Sequence, residues 1–375
     1  MNFDEIIGQD FLKKYFKKII KNDRIPGAQL FVGDAGTGPL PMAWAFAGEL
    51  LCQGNEQCLK KTAKLIHPDL FWIFPSISGS SAANTESQHF MPEFREFLLS
   101  NPYGNYYRWL QYLNAENKQG MIRVKDAETI IKKTFVKAYE GKYKVFIIWM
   151  AEKMNAETNN KLLKILEEPP ADTKFILIAE NTENILPTVL SRCQIHYFNP
   201  IPSSIIQEEL MKKGAGEKTS YKISKQANGS WTKALEILND NKSEINFQKD
   251  FVEWVRTAFM AKKNKSSVQK LINWSEKMAG KGREEQKYFL SYVLEIFRQA
   301  MMINYGNPHL QFIDMSQVKF QLDKLAPFIH NANIEEIFHL IEKANYSIER
   351  NANSKLVFIN LSLSLTKLIH KKEVS

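Results

Sequence analysis

A glycine-rich turn is the first feature of this sequence whose residues could do chemistry. In the segment FVGDAGTGPLPMAWAFA, Gly33 and Gly38 have the spacing of a loop that binds nucleotide phosphates, with Gly36 between them. Such a loop reads G-x-x-x-x-G-K-[ST], because its lysine reaches the β- and γ-phosphates and its hydroxyl binds Mg²⁺. Here Pro39 replaces the lysine and Leu40 replaces the hydroxyl residue. The glycines therefore match a phosphate loop, whereas the residues that act on the phosphates are missing.

The companion motif of such nucleotide-binding proteins is an apolar strand that ends in acidic residues, which handle Mg²⁺. The strand KVFII is present, but Trp149 and Met150 follow it, and neither can bind Mg²⁺ or orient a water molecule. We interpret the next acidic residues, Glu152 and Glu157, as solvated, because glutamate is mostly exposed in proteins. Two independent losses predict that the chain does not hydrolyse ATP in a site of its own.

The elements around these motifs alternate between strands and helices. AQLFVG predicts a buried strand, LPMAWAFAGELLC predicts the helix after the turn, and HPDLFWIFPS, GKYKVFIIWM and TKFILIAE predict further strands. The polar stretch SISGSSAANTESQHF predicts an exposed loop. We therefore expect an α/β fold with a parallel sheet and helices on both faces, followed from about residue 203 by helices only.

An aromatic stretch, NPYGNYYRWLQYL, lies between the second and third predicted strands. Its rings could stack on the bases of single-stranded nucleic acid, or they could pack an inserted segment onto the sheet. Packing is the commoner use of such large apolar side chains, so we favour a structural role for this stretch.

Composition limits the class of protein. The chain has 375 residues and a formal net charge of +9, from 50 Lys and Arg against 41 Asp and Glu. This charge permits a nucleic acid or an acidic protein as partner and requires neither. No apolar run approaches the roughly 20 residues that span a bilayer, and the three cysteines cannot form a disulfide framework. We therefore expect a cytoplasmic protein without a membrane partner.

Two segments carry a family resemblance. FDEIIGQD at the start, and the block from KYKVFIIWMAEKMNAETNNKLLKILEEPP to ILPTVLSRCQIHYF, resemble the AAA+ clamp-loader family of bacterial DNA polymerase III, over roughly residues 1–240. The resemblance implies an AAA+ α/β domain over 1–200, a helical lid over 201–243 and a helical collar over 244–375. It also implies a pentameric complex that opens a ring-shaped sliding clamp and closes it on primed DNA.

Under this resemblance, Arg192 carries the chemistry. The family's Ser-Arg-Cys motif falls on Ser191, Arg192 and Cys193. In the family this arginine enters the ATP site of the adjoining subunit and stabilises charge on the γ-phosphoryl group in the transition state. Arginine suits the role because it stays charged and presents a planar fork of donors. The resemblance thus implies an arginine finger that acts in trans, with Cys193 as a packing residue beside it.

A third nucleotide-handling position of the family is an arginine at the start of the last lid helix. In NGSWTKAL this position is Thr232, and the neighbouring Lys233 has the charge of arginine without its planar fork. This loss strengthens the expectation of a subunit that does not hydrolyse ATP.

Many members of the family carry a four-cysteine zinc module after the first helix of the sheet domain. This chain keeps Cys52 and Cys58, but Lys61 and Lys64 stand where the other two cysteines are expected. Only His67 could serve as a third ligand, whereas structural zinc takes four. We interpret the two cysteines as reduced, partly buried thiols and expect no metal site.

The sequence thus favours a non-hydrolysing, stator-type subunit of the clamp loader, with no cofactor and no ATPase activity of its own. Its expected partners are an ATPase motor subunit, a delta-like subunit, the sliding clamp and primer-template DNA. Two alternatives stay open. One is an active motor-type loader ATPase, and the other is a stand-alone DNA-binding protein on a recycled AAA+ fold.

Overall fold

A parallel sheet organises the first of two units, Met1–Leu235 and Glu236–Ser375, in the computed structural model. The structure describes residues 1–77, 86–239, 241–262, 264–306, 313 and 315–372. The strands are β1 (Ala28–Val32), β2 (Leu70–Ile73), β3 (Lys144–Trp149), β4 (Thr173–Ala179) and β5 (Gln194–Tyr197). They lie side by side in the order β2-β3-β4-β1-β5, and all neighbouring pairs are parallel. The predicted α/β class is confirmed.

Helices cover both faces of this sheet. The helices that begin in this unit are α1 (Asp10–Lys21), α2 (Pro39–Cys52), α3 (Glu56–Ala63), α4 (Met91–Ser100), α5 (Tyr106–Tyr112), α6 (Val124–Thr134), α7 (Ala156–Glu167), α8 (Pro187–Leu190), α9 (Ser203–Lys212), α10 (Glu217–Gln226) and α11 (Trp231–Asn239). Strand β1 shows why the central strands are mostly apolar. Phe31 packs into the layer that contains Phe16 and Phe46, while Leu30 and Val32 belong to the core of the opposite face. Successive side chains alternate between faces, so a strand covered on both sides is apolar at most positions.

The aromatic stretch packs against the sheet domain, as we favoured from the sequence. Tyr106 and Trp109 of α5 are buried. The ring of Phe94 stacks on Phe74, with centroids 3.8 Å apart, and Trp109 meets Phe74 edge-on at 5.5 Å. The indole Nε1 of Trp109 donates to the carbonyl oxygen of Pro75 at 2.8 Å. These rings are therefore part of the core.

The polar stretch 76–90 was predicted to be an exposed loop, and residues 78–85 lie outside the described part of the chain. At its end, Ser87–Phe90 form a 3-10 turn in which Ser87 is buried. The backbone N–H and the hydroxyl of Ser87 both donate to Asp126 Oδ1 at 2.8 Å. For Ser87 the prediction is wrong, because a buried carboxylate satisfies the polar groups that water would otherwise bind, whereas Gln88 and His89 are exposed as predicted.

The described part of the second unit is helical, as predicted. Its helices after α11 are α12 (Asn241–Ala261), α13 (Lys265–Ala279), α14 (Arg283–Asn304), α15 (Leu322–Leu325), α16 (Ile334–Glu349) and α17 (Ser354–Leu368). At their centre, Trp254 stacks on Trp274 with centroids 5.1 Å apart, and Trp254 Nε1 donates to Ser362 Oγ at 2.9 Å. No helix among the described residues of the chain is long and apolar enough to cross a membrane. The lid and collar boundaries at residues 201 and 244 stay predictions.

Candidate functional site

The glycine loop joins the carboxyl end of β1 to the start of α2, as predicted. Gly36 and Gly38 have φ angles of +87° and +119°, which L side chains rarely adopt. Gly33 N–H donates to the carbonyl oxygen of Ala179 at 3.1 Å, which ties the loop to the end of β4. The turn thus keeps the strand–glycine–helix arrangement of a phosphate loop.

The start of α2 has lost donors that a phosphate would need. The first four N–H groups at a helix N-terminus have no partner within the helix and can bind an anion. Here they would come from residues 38–41, because Met42 N–H already donates to the carbonyl oxygen of Gly38 at 3.0 Å. Pro39 and Pro41 fall in this set, and proline has no N–H. We did not predict the effect of Pro41, although the second proline is visible in the sequence GPLP at residues 38–41.

Residues at the start of α11 fill the space above the loop. Ser230 Oγ donates to the carbonyl oxygen of Ala35 at 2.7 Å, and Trp231 N–H donates to the carbonyl oxygen of Gly36 at 2.9 Å. A Cβ atom on Gly36 would lie 2.2 Å from Ser230 Oγ. The loop and the start of α11 are therefore in direct contact.

Thr232, at the sensor position of the family, takes part in this closure. Its hydroxyl donates to the carbonyl oxygen of Tyr103, and the Tyr103 hydroxyl in turn accepts the N–H of Ile7 at 2.7 Å. The cavity that remains along the loop has a volume of about 20 Å³. Such a volume holds about one water molecule, whereas ligand pockets measure roughly 300–1,000 Å³. The cavity along the loop is therefore far smaller than a typical ligand pocket.

Trp149 and Met150 occupy the carboxyl end of β3, where the acidic Mg²⁺ motif would lie. Both side chains are buried. The Trp149 ring packs against Phe94 and Phe97, with centroid distances of 5.6 and 6.2 Å. Trp149 and Met150 are therefore part of an aromatic core, and their side chains offer no oxygen ligand to a cation.

The interpretation of Glu152 as a solvated residue is wrong. Its Oε1 accepts the N–H of Glu180 at 3.0 Å, and its Oε2 is buried without a hydrogen-bond partner. Burial, and then the negative charge of Glu180, raise the pKa of Glu152 to about 7. Glu157 is exposed, as predicted. The two glutamates differ because the turn after β3 directs Glu152 back toward the end of β4.

Arg192 follows α8 in a tight turn before β5. Its side chain is 27% exposed, and its Nε and Nη2 atoms both donate to Glu167 Oε2, at 2.9 and 2.7 Å. Its Nη1 atom donates to the carbonyl oxygen of Thr188 at 2.8 Å. A guanidinium has five N–H donors, so these contacts leave two donors for another acceptor.

Arg192 and the glycine loop lie at opposite ends of the sheet. Strands β1 and β5 are parallel neighbours, with Gln29 opposite Gln194 and Val32 opposite Tyr197. Arg192 precedes β5, whereas the loop follows β1, and the paired residues between them span roughly 10 Å. The structure therefore does not bring the two predicted sites together, and Arg192 is not directed at the phosphate loop of its own chain.

The residues that flank Arg192 have structural roles. Ser191 is exposed, and its Oγ donates to the carbonyl oxygen of Thr188 at 3.2 Å. Cys193 is half-buried, and burial raises the pKa of its thiol to about 12. A thiol that keeps its proton at neutral pH is a poor nucleophile, which agrees with a packing role.

The interpretation of Cys52 and Cys58 as reduced thiols is wrong, since the structure joins them in a disulfide. His67 lies beside them, and the candidate ligand atoms of these three residues are within 4.8 Å of one another. His67 Nδ1 accepts the N–H of Asp69 at 3.1 Å, and burial lowers the pKa of the ring. Zinc binds thiolates, and disulfide sulfurs are not thiolates, so these residues do not fit the zinc module of the family.

Residues 8–202 match the protein-family model described as "DNA polymerase III, delta subunit". This match covers more than half of the chain. The chain belongs to this family.

Individual relatives agree with the family match. The DNA polymerase III subunit delta' of Bacillus subtilis is 25% identical over 306 residues, which cover 80% of this chain and 79% of that protein. The delta' subunit of Pseudomonas aeruginosa is 27% identical over 186 residues, or 50% of this chain and 47% of that protein. The gamma/tau subunit of Mycoplasma genitalium is 26% identical over 227 residues, or 60% of this chain and 32% of that protein. These matches confirm the predicted clamp-loader resemblance, and the chain is delta-prime-like.

Among solved structures, a DNA polymerase III gamma subunit-related protein from Thermotoga maritima is 17% identical, with a TM-score of 0.37. The alignment covers 95% of this chain and 99% of that one.

Proposed function

We propose that this chain is a non-hydrolysing, delta-prime-like subunit of the DNA polymerase III clamp loader, and that it supplies Arg192 in trans to the ATP site of a neighbouring motor subunit. The observation that carries the proposal is the location of Arg192. This partly exposed guanidinium lies at the end of the sheet opposite the glycine loop, and residues of the chain itself pack against that loop.

The chemistry follows from the guanidinium. Phosphoryl transfer spreads charge over the oxygens of the γ-phosphoryl group, and an arginine supplied by a second protein stabilises that charge. The two donors of Arg192 that do not bond to Glu167 or Thr188 could bind two of those oxygens. In other phosphoryl-transfer systems such an arginine accelerates the reaction by roughly 10³–10⁵.

The proposal also names partners. The motor subunit would provide the ATP and the Mg²⁺ that this chain lacks the residues to bind, and a delta-like subunit would complete the loader. The complex would act on the sliding clamp and on primer-template DNA, which implies a cytoplasmic site of action. The delta' and gamma/tau names of the relatives support this setting.

The test is Arg192→Ala in a loader reconstituted with its motor subunit, clamp and primed DNA. We expect the complex to assemble, while clamp- and DNA-stimulated ATP hydrolysis falls by about tenfold or more. Arg192→Lys keeps the charge without the planar fork, so we expect it to restore only a small part of the rate. Hydrolysis at the wild-type rate in Arg192→Ala would refute the trans-acting role.

The gamma/tau relatives favour one alternative, an active motor-type ATPase. The two hypotheses differ in a simple measurement, the equilibrium binding of labelled ATP to the isolated chain with and without Mg²⁺. We expect no Mg²⁺-dependent binding at micromolar ATP, because Pro39 and Pro41 remove donors and Trp149 occupies the Mg²⁺ corner. Saturable, Mg²⁺-dependent binding in this range would support the motor-type alternative instead.

A further inference from the structure

The salt bridge of Arg192 has a geometry that the proposed function does not require. Both Nε and Nη2 of Arg192 donate to the same oxygen of Glu167, so the carboxylate lies along the Nε–Nη2 edge of the guanidinium group. The carbonyl oxygen of Thr188 accepts from Nη1. Three donors, one on each nitrogen of the guanidinium group, are thus fixed within the chain, and these partners set the direction of the remaining two.

Glu167 is itself held in place by the backbone around it. It is the last residue of α7, and the two prolines that follow end the helix. Pro169 lies so close to Gly27 that a Cβ atom there would be 2.3 Å from Pro169 Cγ. The end of α7 is therefore packed against the residue that precedes β1, and Glu167 extends from a fixed point.

A negative charge at the C-terminal end of α7 does not stabilise the helix. The C-terminus of a helix carries a partial negative charge, and acidic residues there are unfavourable. The contact with Arg192 offsets that repulsion. Within the described part of the chain, Arg192 is the side chain that Glu167 contacts.

We propose that Glu167 is a positioning residue for Arg192, which directs the free donors of the guanidinium toward the phosphate of a neighbouring subunit. This inference rests on the proposed trans-acting role of Arg192. Two effects of Glu167 oppose each other, because its charge partly neutralises the guanidinium while its hydrogen bonds orient it. Glu167 is 56% exposed, so water and salt weaken the effect of its charge more than that of its hydrogen bonds. Orientation is therefore the larger effect.

The two effects can be separated with matched variants in the reconstituted loader. Glu167→Ala removes both the charge and the hydrogen bonds, and we expect the maximal rate of stimulated ATP hydrolysis to fall by about fivefold, since misplacing a catalytic group is costly. Glu167→Gln keeps an acceptor oxygen and removes the charge, and we expect a rate within about twofold of wild type. In both Glu167 variants the ATP concentration for half-maximal rate should change little, because the proposed contact between Arg192 and the γ-phosphoryl group strengthens in the transition state rather than in the bound ground state.

Glu168→Ala is the control, because Glu168 is the adjacent exposed residue and carries the same charge without a contact to Arg192. We expect it to behave as wild type. In the Arg192→Ala background, Glu167→Ala should have no further effect, since a positioning residue acts only through the residue that it holds. A merely structural role of Glu167 would lower the rate in both backgrounds.

Failure of this inference can be distinguished from failure of the proposed function. If Arg192→Ala does not change hydrolysis, the trans-acting role is wrong and Glu167 has nothing to position. If Arg192→Ala lowers hydrolysis but Glu167→Ala does not, the positioning role alone is overturned. It is also overturned if Glu167→Ala and Glu167→Gln both raise the rate, because the charge would then be the larger effect, or if the losses of Glu167→Ala and Arg192→Ala add.

Discussion

The glycine loop and the Arg192 region are the two parts of this chain that resemble nucleotide chemistry, and they have opposite physical characters. Around the loop, apolar side chains are buried and internal hydrogen bonds join the loop to the start of α11. Around Arg192, a charged group remains partly exposed and keeps donors for an outside acceptor. The loop region thus has the character of a core, whereas the Arg192 region has the character of a surface that agrees with the proposed contact to a partner.

This comparison predicts which substitutions affect folding and which affect only the complex. Changes near the loop should lower the free energy of unfolding of the isolated chain. Changes near Arg192 should leave it nearly unaltered.

The largest effect is expected for Trp149→Ala. Trp149 is buried among Phe94 and Phe97, so its truncation leaves a cavity and should reduce the free energy of unfolding by about 3–5 kcal/mol. Urea denaturation of the isolated chain measures this loss. Tyr139→Ala is the control, since Tyr139 is 81% exposed and its truncation should change stability by less than about 0.5 kcal/mol. Equal effects of the two variants would contradict a core role for the former Mg²⁺ corner.

The contact between the loop and Ser230 is tested by Gly36→Ala. Gly36 has φ +87°, and a Cβ atom there would lie 2.2 Å from Ser230 Oγ. Gly54 has a similar φ of +88° with nothing within 4 Å of its Cβ position, so Gly54→Ala measures the backbone strain alone. We expect Gly54→Ala to lower the free energy of unfolding by about 1 kcal/mol, and Gly36→Ala by about 3 kcal/mol. A similar loss of unfolding free energy in the two variants would mean that the loop can move away from Ser230 without destabilising the chain.

The buried carboxyl of Glu152 predicts a dependence of stability on pH. Its pKa is raised from 4.5 to about 7 in the folded chain, so the folded state binds this proton more tightly than the unfolded state. Its contribution to stability therefore falls as pH rises from about 4.5 through 7. Glu152→Gln cannot lose a proton, and we expect it to be more stable than wild type by about 1–3 kcal/mol at pH 8 and nearly equal at pH 4.

Denaturation at a series of pH values checks this prediction. Glu157→Gln, at an exposed position of the following helix, is the matched control and should not change the pH profile. A stability difference between Glu152→Gln and wild type that does not grow from pH 4 to pH 8 would show that Glu152 is solvated after all.

The smallest effect on stability is expected for Arg192→Ala, although its effect on the partner's hydrolysis should be large. The salt bridge to Glu167 lies at the surface, and such pairs contribute about 0–1 kcal/mol. We therefore expect the free energy of unfolding to change by less than about 1 kcal/mol. A loss comparable to that of Trp149→Ala would make Arg192 a structural residue and would remove the contrast between the two regions.

The sequence by itself determined which residues of the nucleotide motifs are replaced and where most of the strands lie. Pro39, Leu40, Trp149 and Met150 are visible as losses because a phosphate motif is local, with fixed spacing along the chain. Strands β1 to β4 were predictable because strands buried on both faces are mostly apolar runs, whereas β5 mixes polar and apolar residues and was not predicted. The family resemblance also rests on sequence motifs alone, and it implies the role of Arg192.

The tertiary structure decided what the sequence could not express, namely which distant residues meet. Ser230 and Thr232 close a loop that lies about two hundred residues earlier in the chain, Glu167 holds Arg192, and Glu152 is turned away from water. Local pattern fixes the face on which a side chain lies, but not the neighbour that it meets there. For that reason the sequence alone shows that the glycine loop lacks the usual lysine and hydroxyl residue, whereas only the packed fold shows that Ser230 and Trp231 contact the loop.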